Sequence, residues 1–577
     1  MVTSQGSTHA ALIDADIYLL DYGAGNVRSL VNAVNHIGYS IKRIESVADF
    51  DKAKKIIFPG VGAFGSCMVK LQELGYIESL QKYIRANNPF FGICVGMQSL
   101  FLASDESPDI QGLGIISATV SKFDATTKTV PHMGWNTTTL QVDTSSSGAQ
   151  DTRIHHGGAD NRYYFVHSFA VKGSQAEIDA SPDLRDWAYS LTTYGNETFV
   201  SIIQKGNIFG TQFHPEKSGH LGLAVIKAFL DSKPADASLP KPIPLDGLPH
   251  SKRAYCMPQS QLSRRIIACL DVRANDNGDL VVTKGDQYDV RESAKDGGHV
   301  RNLGKPVELA QRYYQEGADE ITFLNITSFR DCPLKDLPML QVLQETSKSV
   351  FVPLTVGGGI RDFTEPSGVT ISALDVVSLY FRSGADKVSI GSDAVYAAEQ
   401  YWKRDGKKQG DTAIEQIAYA YGSQAVVVSV DPRRVYVSSP KATQHHTVEC
   451  DIPGPNGEVY CWYQCTVKGG REGRDLDVQE LVVACEALGA GEILLNCMDR
   501  DGTNSGFEHS LIRDVKKAIK IPVVASSGAG RVEHFSSMFD ATSADAGLAA
   551  GIFHRQEVPI QSVKQHLREL GHACRFD

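Results

Sequence analysis

Ile266-Ile267-Ala268-Cys269-Leu270-Asp271 is echoed 160 positions later by Val426-Val427-Val428-Ser429-Val430-Asp431. Both are apolar runs of strand length that end on a carboxylate. Two further pairs keep nearly the same spacing. Gly317-Ala318-Asp319-Glu320-Ile321 matches Gly489-Ala490-Gly491-Glu492-Ile493 at 172 positions, and Gly357-Gly358-Gly359 matches Ser527-Gly528-Ala529-Gly530 at 170. A repeat of this length reads as half of a doubled domain. Eight apolar runs fall in the region: Ile266–Leu270, Ile321–Asn325, Val352–Val356, Lys387–Ile390, Ala425–Val430, Ile493–Asn496, Val523–Ser526 and Ala546–Ala549. Helical stretches separate most of them. Eight such units in about 300 residues predict a (β/α)8 TIM barrel built from two half-barrel repeats.

Upstream of the barrel lie Pro234, Pro240, Pro242, Pro244, Pro249 and Pro258, in a stretch that reads as a stiff, extended linker. The expected division is a tail over 1–15, a first domain over 16–231, the linker over 232–261 and the barrel over 262–577. In the first domain, Ile17–Leu20 precedes Asp21-Tyr22-Gly23, Ile56–Phe58 precedes Pro59-Gly60, and Phe90–Ile93 precedes Cys94. Short apolar runs before turns and helical stretches predict an open α/β fold. Residues Val142–Asp160, rich in Ser, Gly and Asp, read as a surface insertion.

Composition narrows the classes of function. The 577 residues are 42% hydrophobic and 21% charged, as expected of a multidomain globular protein. A net charge of −10 favours neither nucleic acid nor an anionic lipid surface as partner. No apolar run reaches the roughly 18 residues of a membrane span. Met1–Ala10 lacks the basic flank and apolar core of a secretory signal. The 11 scattered cysteines suit free thiols in a cytoplasmic enzyme.

Two local patterns in the first domain carry chemistry. Phe91-Gly92-Ile93-Cys94-Val95-Gly96-Met97-Gln98 is a strand ending in G-x-C-x-G before a helix, the nucleophile-elbow arrangement with Cys in place of Ser. Such a turn exposes the sulfur at a helix N-terminus, where the thiolate is favoured. Alone, it reads equally well as a buried cysteine. Phe209-Gly210-Thr211-Gln212-Phe213-His214-Pro215-Glu216 decides the matter, because a nucleophilic Cys needs a His as proton shuttle and the His needs an acceptor to orient it. Cys94, His214 and Glu216 are therefore the candidate triad. The loop Gly60-Val61-Gly62 and the Val95 N–H are candidate oxyanion donors.

In the barrel, Asp271 and Asp431 follow strands one and five and are expected to face each other across the mouth as an acid–base pair. Lys284 follows in the first loop and could bind an anion. Gly358 and Gly359, and Gly528 and Gly530, follow repeat-related strands and offer bare N–H groups to phosphate. Gly391-Ser392 and Gly551 occupy the next strand ends, so two phosphate sites are predicted. Arg265, Glu320, Lys387 and Glu492 stand at or just before the starts of four strands, around the closed end of the barrel. Their alternating charges could form a salt-bridged ring. His445, His446, Cys450, Cys461 and Cys465 are too irregularly spaced to indicate zinc, and neither metal nor cofactor is expected.

The Cys94 elbow, the Gly60–Gly62 loop and His214-Pro-Glu216 resemble class I glutamine amidotransferases. Pro131-His132-Met133-Gly134-Trp135-Asn136 and Tyr163–Phe169 narrow the resemblance to the imidazole glycerol phosphate synthase family. The barrel is similar to the cyclase of that family over Arg265–Val272, Asp319–Thr327, Pro353–Asp362, Gly384–Ile390, Ser423–Asp431, Gly489–Gly506 and Val523–Gly530. The resemblance implies the fused, bifunctional form. It implies a Cys94 thioester, L-glutamine and a ribulosyl-phosphate aminoimidazole carboxamide nucleotide (PRFAR) as substrates, and imidazole glycerol phosphate and AICAR as products. It also implies a role for Gln98 in holding glutamine, and for Asn325, Asn496, Asp501, Gly502 and Thr503 at the mouth. Asn325 stands where bacterial cyclases more often show Asp. The charged ring then becomes an ammonia gate, with the glutaminase docked beneath the barrel. A sugar-phosphate isomerase barrel, or a glutamine sensor on a scaffold, are the competing readings.

Overall fold

The computed structural model describes residues 12–23, 25–60, 62–140, 161–233, 262–274, 280–282, 305–325, 337–364 and 368–576. The expected insertion, nearly all of the linker, Val61 and Lys284 lie outside them. The first unit is built on an eight-stranded sheet. Its strands are β1 (Ile17–Leu19), β2 (Lys42–Arg43), β3 (Lys55–Gly60) and β4 (Phe90–Cys94), followed after β5 (His132–Thr137) by β6 (Thr139–Leu140) and after β7 (Arg162–His167) by β8 (Ala188–Tyr194), β9 (Glu197–Lys205) and β10 (Ile208–Thr211). The order is β2-β1-β3-β4-β10-β9-β8-β6. It is parallel from β2 to β10 and antiparallel beyond. β3 and β4 are buried on both faces, as their unbroken apolar runs require. A separate antiparallel pair, β5 (His132–Thr137) with β7 (Arg162–His167), lies between the sheet and the second unit.

The second unit is the predicted barrel. β11 (Arg265–Ala274), β12 (Glu320–Asn325), β13 (Leu354–Gly357), β14 (Lys387–Ile390), β15 (Val426–Val430), β16 (Glu492–Asn496), β17 (Val523–Ser526) and β18 (Ala546–Ala549) pair in parallel in that order. The circle closes through Arg265↔Ala546 to Ala268↔Ala549. Side chains alternate between two apolar layers. Ile266, Ala268 and Leu270 pack outward against the helices, whereas Ile267, Cys269, Val427, Leu494, Val524 and Leu548 form a separate cluster inside. The excursion after β15 folds as a small antiparallel sheet of Arg433–Val437, Val448–Glu449, Tyr460–Val467 and Glu472–Asp477. Residues 452–458 connect Val448–Glu449 to Tyr460–Val467.

Contacts between the units run to the N-terminal ends of the barrel strands. Asn26 donates to Gly384 O and to Asp386 Oδ1, both at 2.8 Å. Lys217 reaches Asp386 Oδ2 at 2.7 Å. The Trp135 indole donates to Asp319 O at 3.1 Å, and Val130 N donates to Lys520 O at 2.9 Å. Trp135 and Tyr164 pack into the barrel's apolar cluster, and Phe351 of the barrel packs into that of the first unit. Lys55 caps the last helix of the first unit, Gly219–Asp231, by donating to Phe229 O, Leu230 O and Ser232 O at 2.6–2.8 Å.

Candidate active sites

Cys94 ends β4 at φ 52 and ψ −108, a conformation that L-residues rarely adopt, and the next four residues form a single helical turn. The turn is this tight because Gly96 lacks a side chain: a Cβ there would lie 1.9 Å from Phe58 O on β3. Gly60 packs against the same corner, with Val95 Cβ 2.6 Å from where its own Cβ would stand. Gly62 has φ +138 and lies beside Tyr22 and the Ala420 carbonyl of the barrel.

β10 runs alongside β4 in parallel, with Thr211 opposite Ile93, and so delivers the following residues to the sulfur. His214 Nδ1 lies 2.8 Å from Glu216 Oε1, and both side chains are buried. The ring's Nε2 has no hydrogen-bond partner among the described residues, and the Cys94 sulfur acts on the ring electrostatically. Burial opposes a charge on His214, but the Glu216 carboxylate and the Cys94 thiolate outweigh it, and the pKa is pushed up to about 10. The His214 ring is thus held protonated at neutral pH. Gln98 turns its amide nitrogen into the fold: its Nε2 donates to Phe169 O at 2.9 Å and to Gln212 Oε1 at 3.1 Å. Gln212, which sequence reasoning missed, donates through Nε2 to Cys94 Sγ at 3.4 Å. Its signal was an amide within a buried run, two positions before the histidine.

At the other end of the chain, Asp271 and Asp431 line one cavity of about 340 Å³ together with Asn496, Asp501, Gly502, Gly528 and Gly551. Burial, helped by the charge of Asp501, raises Asp271 to about 7. Burial raises Asp431 in the same direction, against the bond that Asn496 Nδ2 donates to its Oδ1 at 2.9 Å. Asn496 is oriented in turn by Ser527 Oγ on its Oδ1. Thr466 of the small sheet pins the backbone by donating to Asp431 O at 2.6 Å.

Gly358, Gly359, Gly391, Ser392, Thr503 and Gly530 sit beyond strand ends or in loops on the same rim but do not line this cavity. Ser392 Oγ accepts from Lys468 N at 2.9 Å, and Thr503 Oγ1 donates to Arg500 O at 2.8 Å. Gly528, at φ +94, admits the neighbouring loop: a Cβ would lie 2.2 Å from Gly506 O. In the excursion, His445, Asp477 and Glu480 approach one another, but Asp477 and Glu480 already cap the helix Val478–Leu488.

The four charges form a closed ring. Arg265 bonds Glu320 at 3.1 Å and Glu492 at 2.5 Å, and Lys387 bonds the same two carboxylates at 2.7 and 2.6 Å. None of the four is more than 2% exposed. Burial works against the charge on Glu492, but Arg265 and Lys387 keep its pKa below the usual carboxylate range. Arg265, Ile267, Cys269 and Asp271 share the inward face of β11, so the ring and the carboxylate cavity are opposite ends of one interior. Met133 of β5 touches the ring from below, its Sδ 3.6 Å from Lys387 Nζ.

Residues 18–231 match the glutamine amidotransferase class-I family, and residues 265–559 match the family described as histidine biosynthesis protein. The imidazole glycerol phosphate synthase hisHF of Emericella nidulans is 55% identical over 562 residues, spanning 97% of this chain and 98% of that protein. The hisHF protein of Schizosaccharomyces pombe is 54% identical over 551 residues, 96% of this chain and 98% of its own. The Arabidopsis thaliana protein, named as chloroplastic, is 54% identical over 557 residues, 96% of this chain and 89% of its own.

Proposed function

The chain belongs to the fused imidazole glycerol phosphate synthases, bifunctional enzymes of histidine biosynthesis with a glutamine amidotransferase and a cyclase domain, and from that premise we propose how its residues divide the work. The glutaminase spans 16–231, 232–261 link it to the barrel, and 262–577 form the cyclase. The Cys94 thiolate attacks the side-chain amide carbon of L-glutamine. The negative oxygen that develops is met by the Val95 N–H and the Gly60–Gly62 loop. The His214 imidazolium gives its proton to the leaving nitrogen, and ammonia departs from a thioester. His214, now neutral and held by Glu216, takes a proton from water as the water cleaves the thioester to glutamate.

Ammonia then passes the Arg265–Glu320–Lys387–Glu492 ring into the barrel. The glutaminase sits under the barrel's N-terminal face, as the contacts at Asp386, Asp319 and Lys387 support. Inside, Asp271 and Asp431 act as acid and base on PRFAR: ammonia adds at the ribulosyl carbonyl, and ring closure with elimination gives imidazole glycerol phosphate and AICAR. Asn496 and Asp501 set the protonation of the two carboxylates. The glycines at the strand ends, with Ser392, Thr503 and Lys284, take the two phosphates. The cysteines, free wherever they are described, suit a reducing cytosol.

The observation that carries this reading is the shared interior, with Met133 of the glutaminase against the ring at one end and Asp271 and Asp431 at the other. The test is Cys94→Ala assayed with each nitrogen source. Glutamine-driven product formation is expected to fall at least about 10³-fold while ammonium-driven formation persists. Equal loss of both would overturn the division of labour.

A further inference from the structure

Gln212 is fully buried and has no contact with the exterior through which to serve solubility or docking. Its side-chain orientation is set through Gln98 by the Phe169 carbonyl, on which a second run of hydrogen bonds also ends. Asn136 Nδ2 lies 3.2 Å from His132 Nε2, His132 Nδ1 lies 3.2 Å from His167 Nε2, and His167 Nδ1 lies 2.9 Å from Phe169 O. Phe169 O can only accept, so His167 carries its proton on Nδ1. His132 must then donate from Nδ1 and accept from Asn136. Burial holds both histidines neutral, His132 well below its ordinary pKa and His167 at about 3.

The same carbonyl fixes the other branch. Gln98 turns its NH2 toward Phe169 O, and that NH2 also meets Gln212 Oε1. Gln212 therefore presents its own NH2, never its oxygen, to Cys94 Sγ at 3.4 Å. An N–H donor aimed at sulfur stabilises the thiolate relative to the thiol, and a carbonyl there would do the reverse.

We propose that Gln212 is a positioning residue of the glutaminase reaction, holding Cys94 as an aligned thiolate, and that Gln98 and Phe169 O keep its amide the right way round. This rests on the reading of Cys94 as nucleophile and adds a donor distinct from His214. The donor acts on the sulfur before glutamine arrives, so its loss affects the attacking step more than the binding of substrate.

The experiment uses the full chain with Gln212→Leu, which deletes the donor, and Gln212→Glu, which keeps size and shape but sets a carboxylate against the sulfur. The rate of Cys94 alkylation by iodoacetamide is followed against pH without glutamine, with Cys94→Ala as the blank. Glutaminase kcat and KM are measured beside it, and ammonium-driven turnover reports that each variant has folded. The alkylation midpoint is expected to rise by about one pH unit in Gln212→Leu and by more in Gln212→Glu, with kcat down about tenfold and KM within about twofold. Should Gln212→Leu not fold, Gln212→Glu decides alone. An unchanged midpoint in a folded variant overturns the proposal. Glutamate release by Cys94→Ala would instead overturn the nucleophile assignment beneath it.

Discussion

Two ionisable residues carry the sharpest tests. Glu216 is the largest influence raising His214, so Glu216→Gln should let burial pull the ring down. The imidazolium, present below a pKa of about 10 and lost above it, would then survive only to a lower pH. We expect kcat for glutamine hydrolysis to fall about 10²-fold and the alkaline limb of its pH profile to move down. Asp271 runs the other way. Its folded pKa of about 7 lies above the unfolded value of an aspartate, so the folded state binds the extra proton. Stability from this group is therefore lost as pH rises from about 4 to 7. Asp271→Asn should abolish cyclisation yet raise Tm by about 3 °C at pH 8, and by less at pH 5, in thermal unfolding. Cys94, His214 and Glu216 were legible because their chemistry demands neighbours in the chain: an elbow needs glycines, and the histidine's acceptor is two residues away. Gln212 was not, since its role depends on which end of its amide faces the sulfur, which only the surrounding acceptors determine.

The strand is the unit that turns sequence order into chemistry here. Arg264 and Arg265 are adjacent, yet one lies over Phe539 outside the barrel and donates to Ala544 O, while the other closes the inner ring. Counting back by twos from Asp271 selects Arg265, so the ring was readable once the barrel was accepted. Asp386 and Lys387 divide in the same way, one toward Lys217 of the glutaminase and the other into the ring. Arg265→Met would leave two buried carboxylates facing one lysine, at a cost of about 3–5 kcal/mol. Urea unfolding of the whole chain should show the loss, and the ratio of glutamate released to imidazole product formed should rise above one. The strands that lead into the repeated aspartates begin within one residue of the expected starts, because both-face burial writes itself as unbroken apolar runs, although the first runs on past Leu270 to Ala274. The phosphate loops were less legible. Glycine at 528 answers to a neighbouring carbonyl as much as to any ligand, and a glycine codon does not say which.

As a whole, the molecule joins two folds that each bury their own core and meet along the barrel floor. Its doubled half-barrel was legible at long range, since internal repetition survives even where single strands are ambiguous. The expectation that the glutaminase docks beneath the barrel came from the family resemblance alone, because the residues that cross between cores, Trp135, Tyr164 and Phe351, are apolar and carry no mark of which core they enter. The arrangement makes an isotopic prediction. With amide-15N glutamine and a twofold excess of unlabelled ammonium at pH 7, nitrogen in the imidazole product should come almost wholly from glutamine; a product that follows the bulk mixture would exclude transfer inside the protein. The aliphatic lining between the ring and the carboxylates, Ile267, Val427, Leu494 and Val524, adds one more consequence. Such walls pass a neutral molecule and turn back a cation, so the nitrogen must travel stripped of its fourth hydrogen. Hydrolysis of an amide at neutral pH then strands one acid equivalent in the lower compartment at every cycle, and the glutaminase must discharge it to the surrounding water by a path of its own.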